Sequence, residues 1–424
     1  MADIVSDPEQ EIRARVEGVL TAEEVNLNSE RGRARAQELI ERVLRDHEAE
    51  ALNGQASELA AEERERIARA LREDLIGLGA LAERMLSDPK AQEWMVNAPT
   101  RVFRDTGDRI ERVPDLVFTD DRQVRAFLER LLEQVEGKRL DRITPRVEAR
   151  LPDGSRLTAA IPPVSSNGHP ICTIRRFRLR AGTLDELVAL EFLSQEAAEF
   201  LAACVRAGKN IVVCGRVSSG KTTLLNALGR SIPAGERVVV CESSAELQLP
   251  SLLANCVGYE ARAASPDGLP AVTLEDLVSD ALRMNPDRII VGECRGPETM
   301  AMLWAFATGH AGMTSVHGES CEHALRNLVR FALTSGARVE AEQALDWVRE
   351  IDVVVHCDRP RSFDQGERRF LPRVIDQIVE VQGVEGTRLT LNPLFDGAGQ
   401  QLRWLGAAPI FFDQLERAGY RPPA

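Results

Sequence analysis

One glycine-rich segment constrains this chain more than any other feature of its sequence. Residues 215–222 have the sequence Gly-Arg-Val-Ser-Ser-Gly-Lys-Thr and match the pattern G-x-x-x-x-G-K-[ST] at every fixed position. The apolar, β-branched run from Ile211 to Val213 precedes the segment and predicts a buried strand. Leu224, Leu225 and Leu228 follow it at helical spacing. A strand, a glycine loop and a helix in this order predict a P-loop that binds a nucleotide.

The residue types in this loop suit a phosphate ligand. Gly215 and Gly220 allow a tight turn that directs several backbone N–H groups at one phosphate, and the helix beginning near Gly220 adds the positive end of its dipole. Lys221 is expected to contact the β- and γ-phosphates, and Thr222 to hold Mg²⁺ through its hydroxyl. The loop residues expected to bind ATP are Gly215, Ser218, Ser219, Gly220, Lys221, Thr222 and Thr223.

Composition limits what the rest of the chain can be. Its 424 residues suffice for two or three domains, and a hydrophobic fraction of 44% is ordinary for a protein with a packed core. No apolar run approaches the roughly 20 residues that cross a bilayer. The first residues lack the basic and apolar regions of a secretory signal, so we expect a cytoplasmic protein. The net charge of −13 argues against nucleic acid as the main partner, because phosphate binding usually requires a basic face.

The hydrophobic pattern divides the chain into successive regions. The first region is highly charged and carries three apolar stripes at helical spacing, so we expect a solvated helical bundle rather than a catalytic region. The second mixes strand–turn–strand patterns with one helix, and a short helix capped by Thr183 follows it. The expected regions are 1–75 for the helical N-terminal appendage, 76–180 for an α/β N-terminal domain, 181–195 for a linker, and 196–424 for the nucleotide-binding domain.

Two short β-branched runs after the P-loop each end in a carboxylate, at Glu242 and at Glu293. Strands that alternate with helices predict a parallel sheet with its ligands at the carboxyl ends of the strands, so both residues are expected beside the P-loop. Glu293 is the better candidate for the base that polarises the attacking water. Glu242 is a candidate for holding Mg²⁺ or orienting the nucleophile. Asp287, the ordinary alternative as a Walker B acid, begins its strand at the wrong end for metal contact.

His310 and His317 lie close together in the sequence and are two of only six histidines. We expect them to sense phosphate, by donating a hydrogen bond to the γ-phosphate or to Glu293. Metal binding is a second interpretation, although no third ligand stands nearby in the sequence. A histidine buried in the core is the third.

The order of these segments resembles that of the type II/type IV secretion ATPase superfamily. The matching segments are Walker A at 215–222, the Asp box at 242–247, Walker B at 283–296 and the His box at 308–317. Upstream stretches are similar to those of the CpaF/TadA-like ATPases of tight-adherence (Flp) pilus assembly, at 95–97, 145–156, 161–163 and 174–177. The resemblance extends from residue 75 to the end. Arg216, Ser243 and Asn285 depart from the family pattern, which implies slower hydrolysis.

The resemblance implies a fold, an assembly and a function. It implies an α/β protein with a RecA-like P-loop NTPase C-terminal domain, assembled as a homohexamer with nucleotide between its domains. It also implies an arginine that reaches the phosphates across the domains; the candidates are Arg175 or Arg176, and further Arg262 and Arg295. The expected activity is ATP hydrolysis with Mg²⁺, the expected partner is an inner-membrane platform protein of a pilus or secretion machine, and no nucleic acid is expected. The motor would then be cytoplasmic and peripherally associated with the inner membrane.

Two other functions stay open on the sequence alone. A nucleic-acid motor on a RecA-like core would show DNA-stimulated hydrolysis with a steep salt dependence. A small-molecule kinase would need a substrate lid and no ring. A hexamer would exclude the kinase, and the lack of DNA stimulation would exclude the nucleic-acid motor.

Overall fold

The computed structural model describes residues 8–23, 25, 30–54, 56–75, 85, 88–107, 109–116, 118–133, 135, 137–176, 182–264, 268–335, 340–364, 367–370, 372–385, 388–397 and 402–421. Contacts between residues divide the chain into two compact units, Met1–Phe177 and Arg178–Ala424. The finer domain boundaries given above stay predictions. Within the described ranges, no helix has the length and apolar character that crossing a membrane requires.

Three helices at the beginning of the first unit pack around a core of their own. Their bounds are α1 (Pro8–Ala22), α2 (Glu30–Leu52) and α3 (Ala61–Leu75). One of the three predicted apolar stripes consists of Ile12, Val16 and Leu20 and is buried, because residues four apart lie on one face of a helix. Arg15 on α1 forms a bidentate ion pair with Glu50 on α2, at 2.6 and 2.9 Å. The three predicted helices are confirmed.

A six-stranded antiparallel sheet forms the rest of the first unit. Its strands are β1 (Glu93–Ala98), β2 (Arg101–Asp105), β3 (Ile110–Arg112), β4 (Arg146–Arg150), β5 (Arg156–Ala160) and β6 (Ile171–Arg175). Their order is β3-β2-β1-β6-β5-β4, and the strand–turn–strand patterns predicted for this region include the hairpins β1–β2 and β4–β5. One helix, α4 (Asp121–Glu133), buries its predicted apolar face in the same core as this sheet.

The second unit is built on a nine-stranded sheet. Its strands are β7 (Ile211–Gly215), β8 (Val238–Glu242), β9 (Cys256–Glu260), β10 (Arg288–Cys294), β11 (Ala311–His317), β12 (Val353–Asp358), β15 (Val374–Glu385), β16 (Arg388–Asp396) and β17 (Arg403–Trp404). They are ordered β17-β16-β15-β12-β7-β11-β10-β8-β9. The strands from β12 to β9 in this order are parallel, while β15, β16 and β17 continue the sheet in antiparallel pairs. A separate hairpin, β13 (Arg361–Asp364) with β14 (Glu367–Phe370), interrupts the chain between β12 and β15.

Helices cover both faces of the parallel strands, because alternate strand residues point to opposite faces and nearly all of them are apolar. Ile211 and Val213 of β7 belong to one buried cluster and Val212 to the other. The helices on the Ile211 side include α5 (Leu184–Ala189), α6 (Gln195–Arg206), α7 (Lys221–Gly229), α8 (Leu249–Leu252) and α13 (Phe412–Arg417). Those on the Val212 side are α9 (Leu274–Ala281), α10 (Glu298–Ala307), α11 (Cys321–Ala332) and α12 (Ala341–Val348). This arrangement confirms the predicted α/β class with a RecA-like P-loop core.

The parallel pairing brings the carboxyl ends of the central strands to one edge of the sheet. Gly215 at the end of β7 pairs with His317 of β11 on one side and with Cys357 of β12 on the other. Ligands of open α/β sheets bind at this edge. The glycine loop leaves the sheet here, so this edge holds the candidate site.

Candidate active site

Two P-loop positions favour glycine because neighbouring atoms lie close to where a Cβ atom would be. Gly215 has φ +148°, and a Cβ atom on it would lie 2.2 Å from the carbonyl oxygen of Cys357. Gly220 caps α7 with φ +106°, and a Cβ atom there would lie 3.1 Å from the ring of Phe192. The loop is therefore pressed between β12 on one side and Phe192 on the other. The strand–loop–helix order predicted from the sequence is confirmed.

The loop fits a phosphate group. The first N–H groups of a helix have no carbonyl one turn earlier, and at α7 they belong to Lys221, Thr222 and Thr223. Ser218 adopts a left-handed conformation, with φ 61°, which reverses the chain just before the helix. The hydroxyl of Ser219 is buried without a hydrogen-bond partner among the described residues. Backbone donors at a helix N-terminus, with an unused hydroxyl in the same loop, suit an anionic ligand.

Lys221, His317 and Glu293 form one cluster at the P-loop, which we call the P-loop triad. The residue Lys221 is only 7% exposed, and its Nζ lies 3.3 Å from Nδ1 of His317 and 3.9 Å from Oε1 of Glu293. His317 Nε2 lies 3.1 Å from the same Glu293 oxygen. Because an ammonium only donates and a carboxylate only accepts, these partners fit a neutral imidazole whose Nε2–H donates to Glu293 and whose Nδ1 accepts from Lys221.

Arg295 places a second positively charged side chain beside Glu293. Its Nε lies 3.3 Å from Oε2 of Glu293, and its side chain is 54% exposed. Both carboxylate oxygens of Glu293 therefore have cationic or N–H partners among the described residues. These partners hold the Glu293 carboxylate in place beside Lys221.

The two glutamates of the Asp box have different environments. Glu242 is 4% exposed, and its Oε1 accepts hydrogen bonds from the N–H groups of Glu246, at 2.9 Å, and Leu247, at 3.0 Å. It lies over Gly292, where a Cβ atom would be 2.8 Å from its Cγ. Glu246 instead faces the P-loop, since Thr222 Oγ1 donates to its Oε2 at 3.4 Å. The structure thus brings Thr222 next to Glu246, while Glu242 shapes the loop that carries Glu246.

Thr222 and Glu246 fit the oxygen-rich environment that Mg²⁺ prefers, because a hydroxyl and a carboxylate of this kind commonly hold it beside nucleotide phosphates. The sequence favoured Glu242 for this purpose. The metal role of Glu242 stays a prediction, and the geometry adds Glu246 as a closer carboxylate.

His310 requires a correction. It immediately precedes β11, whereas His317 ends this strand, and seven extended residues separate the two edges of the sheet by about 20 Å. Its Nδ1 lies 3.3 Å from the hydroxyl of Thr308. The expected hydrogen bond from His310 to Glu293 of the same chain is therefore wrong. The sequence could not separate the two histidines, because their spacing does not reveal where the strand between them begins.

Arg262 also lies away from the P-loop of its own chain. It follows β9 and pairs with Val272, and its guanidinium donates to the carbonyl oxygen of Pro270 at 3.1 Å. Strands β8, β10 and β11 stand between β9 and β7, a separation of about 19 Å at the usual strand spacing. Arg262 is therefore not part of the P-loop triad of its own chain, and its contact with a nucleotide stays a prediction.

The two arginines at the end of β6 differ in their environment. Arg175 is exposed. Arg176 is half-buried, and its Nη1 donates to the carbonyl oxygen of Asp88 at 2.6 Å. The backbone of Arg176 also donates to Gln92, at 2.8 Å. Arg176 therefore helps to fix its own unit, while Arg175 faces solvent.

Sequence reasoning missed two contacts of the P-loop. Arg373 Nε donates to the carbonyl oxygen of Ser218 at 2.7 Å across 155 residues of sequence. Arg216, which departs from the resembled pattern, forms an exposed ion pair with Glu319 at 2.7 Å. No local spacing predicts such contacts, because they depend on the order of strands in the sheet.

Comparison with protein families matches residues 78–385 to the family described as Type II/IV secretion system protein. This range spans more than half of the chain and includes the P-loop, the Asp box and the P-loop triad. The chain belongs to this family.

Several known proteins are similar to this family member. A Mycobacterium tuberculosis protein named as a conjugal transfer protein is 37% identical over 311 residues, covering 71% of this chain and 85% of that protein. VirB11 of Agrobacterium fabrum is 30% identical over 300 residues, covering 64% of this chain and 85% of VirB11. The Legionella pneumophila ATPase DotB, known from an X-ray structure, is 22% identical in sequence. The match covers 69% of this chain and 77% of DotB, with a TM-score of 0.47.

In this secretion-family chain, the buried Glu242 makes stability depend on pH. Burial raises the pKa of the Glu242 carboxyl from 4.5 to about 7, although the N–H groups of Glu246 and Leu247 act in the opposite direction. The folded protein therefore keeps this proton at pH values where the unfolded chain loses it. The contribution of Glu242 to stability falls as the pH rises from 4.5 to about 7. Above this window the ionised carboxylate costs about 3 kcal/mol.

We predict that Glu242→Gln stabilises the second unit at high pH but not at low pH. Glutamine keeps the oxygen that accepts the two backbone hydrogen bonds and removes the buried charge. The free energy of unfolding of variant and wild type should differ by about 1–3 kcal/mol at about pH 8 and converge at about pH 4. Denaturant unfolding without nucleotide or Mg²⁺ measures this difference. An equal difference at both pH values would contradict the raised pKa.

Proposed function

We propose that this chain is the ATP-hydrolysing motor of a pilus-assembly or protein-secretion machine and works as a homohexamer at the inner membrane. The chain is an ATPase of the type II/IV secretion family. The observation that carries the proposal is the P-loop triad, in which a buried lysine, a histidine and a glutamate meet at the carboxyl edge of the parallel sheet. A phosphate-binding lysine and a carboxylate base within 4 Å of each other are what hydrolysis of a phosphoanhydride needs.

Each member of the triad has a distinct task in this mechanism. The Lys221 ammonium, which donates to the carbonyl oxygens of Gly215 and Arg216, neutralises charge on the β- and γ-phosphates of the substrate. Glu293 orients the attacking water and accepts its proton, and the Nε2–H of His317 holds the carboxylate in place. Mg²⁺, held through Thr222 and a carboxylate of the Asp box, supplies further neutralisation of phosphate charge when it is bound.

Motor action requires that hydrolysis changes the arrangement of domains. In our proposal the N-terminal domain contributes an arginine to the phosphates, so the closed arrangement gains a contact that exists only with nucleotide present. Closure and reopening of the domains then transmit force to an inner-membrane platform protein. Binding to this partner keeps the motor at the cytoplasmic side of the inner membrane, as a peripherally associated protein. The upstream stretches at 95–97, 145–156 and 161–163 favour tight-adherence (Flp) pilus assembly of the CpaF/TadA type within the family.

The choice between the two candidate arginines follows from their environments. Arg176 already donates to the carbonyl oxygen of Asp88, whereas Arg175 is exposed. We therefore predict that Arg175→Ala loses most ATP turnover and retains measurable nucleotide binding. A charge-assisted hydrogen bond contributes about 1.5–3 kcal/mol, so the loss in turnover should be about ten- to a hundredfold. Arg176→Ala should instead lower the stability of the first unit and leave turnover closer to that of wild type.

The experiment measures ATP turnover, ATP affinity and molecular mass for wild type and both variants. Wild type should hydrolyse ATP only with Mg²⁺ and should have the mass of a hexamer with nucleotide. A wild-type protein without Mg²⁺-dependent hydrolysis would refute the motor proposal. A monomer in the presence of ATP would refute the ring. If both variants turn over like wild type, the N-terminal domain takes no part in the active site.

A further inference from the structure

Arg373 contacts the P-loop at Ser218, a residue with a left-handed backbone conformation. Its Nε donates to the carbonyl oxygen of Ser218 at 2.7 Å. Ser218 has φ 61°, a left-handed conformation that is unfavourable for residues other than glycine. The Arg373 side chain also lies over the loop, because a Cβ atom on Gly220 would be 3.6 Å from its Cδ. One side chain thus spans the turn between Ser218 and the start of α7.

The backbone around Arg373 is anchored to the same loop. Two residues later, the N–H of Ile375 donates to the carbonyl oxygen of Phe192 at 2.7 Å. The Phe192 ring in turn packs against Gly220, 3.1 Å from where its Cβ atom would be. Ile375 also pairs with Cys357, whose carbonyl oxygen faces Gly215. Arg373 therefore approaches Ser218 from a segment that is fixed at both glycines of the loop.

The bond has a direct consequence for the turn that precedes the helix. A carbonyl oxygen that is held in place fixes the plane of the following peptide, and with it the direction of the next N–H group. That N–H belongs to Ser219 and donates to the carbonyl oxygen of Arg216 at 3.3 Å, so the bond supports the turn that leads to the helix N-terminus at Lys221. A guanidinium at this position also adds a positive charge beside the site where phosphate charge is held.

We propose that Arg373 is a positioning residue that fixes the P-loop in its phosphate-binding conformation and acts on the diphosphate shared by ATP and ADP. The inference rests on the proposed function, since it concerns the same nucleotide site. It assigns to the segment between β14 and β15 a role that no sequence motif indicates. Arg373 acts through Ser218 and needs no contact with the γ-phosphate.

The distinction between ATP and ADP tests this role. A residue that shapes the loop weakens ATP and ADP binding to the same extent, because the loop holds the phosphates that both share. A residue that contacts the γ-phosphate weakens ATP binding alone. A residue with a merely structural role lowers thermal stability and leaves both affinities unchanged.

The experiment compares Arg373→Ala and Arg373→Lys with Arg206→Ala in the full chain. Arg206 is a matched control, because its Nε donates to the backbone carbonyl of Ala418 at 2.9 Å in the same unit, outside the P-loop. ATP and ADP affinities are measured by calorimetry with Mg²⁺, together with melting temperature. We expect Arg373→Ala to weaken both nucleotides equally, by about ten- to a hundredfold. Arg373→Lys, which keeps a charged donor, should recover part of this loss, and Arg206→Ala should bind like wild type.

Each remaining outcome either overturns the inference or supports it. Wild-type affinities in a folded Arg373→Ala protein would refute it, as would a loss confined to ATP. If Arg373→Ala does not fold, wild-type affinities in the milder Arg373→Lys would refute it, whereas equal and partial losses for ATP and ADP would support it. If wild type itself binds neither nucleotide, the proposed function fails and the inference fails with it.

Discussion

Replacing Lys221 with alanine should abolish ATP turnover while both units of the chain keep their fold. The ammonium interacts with two carbonyl oxygens, with His317 and with Glu293, and the apolar clusters of the described residues do not include its side chain. Its removal eliminates the positive charge that faces the phosphates. Loss of one such electrostatic contact costs a factor of about 10²–10³ in turnover, and the weaker nucleotide affinity lowers it further.

The chain offers a matched control for this variant. Lys209 is a second largely buried lysine of the same unit, paired with Asp352 at 3.0 Å at the opposite edge of the sheet. Lys209→Ala should destabilise the second unit and leave nucleotide affinity per folded molecule unchanged. Turnover and affinity are measured for both variants, with circular dichroism to confirm folding. Wild-type ATPase activity in Lys221→Ala would remove the basis of the whole functional proposal.

Replacing Glu293 with glutamine should separate binding from chemistry. Glutamine keeps the shape of the side chain, and its carbonyl oxygen can still accept the hydrogen bond from His317 Nε2. It cannot take a proton from water, so we expect ATP to bind while turnover falls by about 10²-fold or more. The loss of negative charge beside Lys221 and Arg295 also favours the binding of anionic nucleotide, so affinity should stay equal or increase.

Single-turnover hydrolysis and nucleotide affinity check this prediction. Glu322→Gln is the control, because Glu322 is an exposed glutamate of α11 that pairs only with Arg326 among the described residues. It should behave like wild type in both measurements. If Glu293→Gln hydrolyses ATP at the wild-type rate, the base lies elsewhere, and Glu246 beside Thr222 is the next carboxylate to replace.

Local sequence was sufficient for much of the fold. Apolar periodicity predicted the three N-terminal helices, α4, the hairpins of the first unit and the parallel strands β7, β8 and β10. A helix or strand that buries one face needs apolar residues on that face, and a strand that buries both faces is apolar throughout. Strand β9 was not predicted. The glycine pattern predicted the P-loop, since it describes a backbone conformation that few other residues adopt. The rule that ligands bind at the carboxyl ends of parallel strands directed attention to Glu242 and Glu293, and Glu293 lies 3.9 Å from Lys221 of the P-loop.

Contacts between distant segments were beyond such reasoning. The sequence did not reveal that Glu242 turns toward backbone N–H groups while Glu246 turns toward Thr222. It gave equal weight to His310 and His317, although one strand places them at opposite edges of the sheet. Arg373 was missed altogether, because its partner Ser218 lies 155 residues away. These contacts depend on strand order and side-chain direction, which local patterns do not specify.

The place of β12 beside β7 has a consequence for any shortened version of this protein. A fragment that ends after α11 would contain every recognisable motif, from Walker A to the His box. It would nevertheless lack the strand whose Cys357 carbonyl faces Gly215, as well as Arg373. The central strand β7 would then become a bare edge with unpaired N–H and C=O groups, which invites aggregation. The smallest fragment able to bind a nucleotide must therefore include the segments that pack against the glycine loop in three dimensions. Such a fragment extends well past the last motif in the sequence.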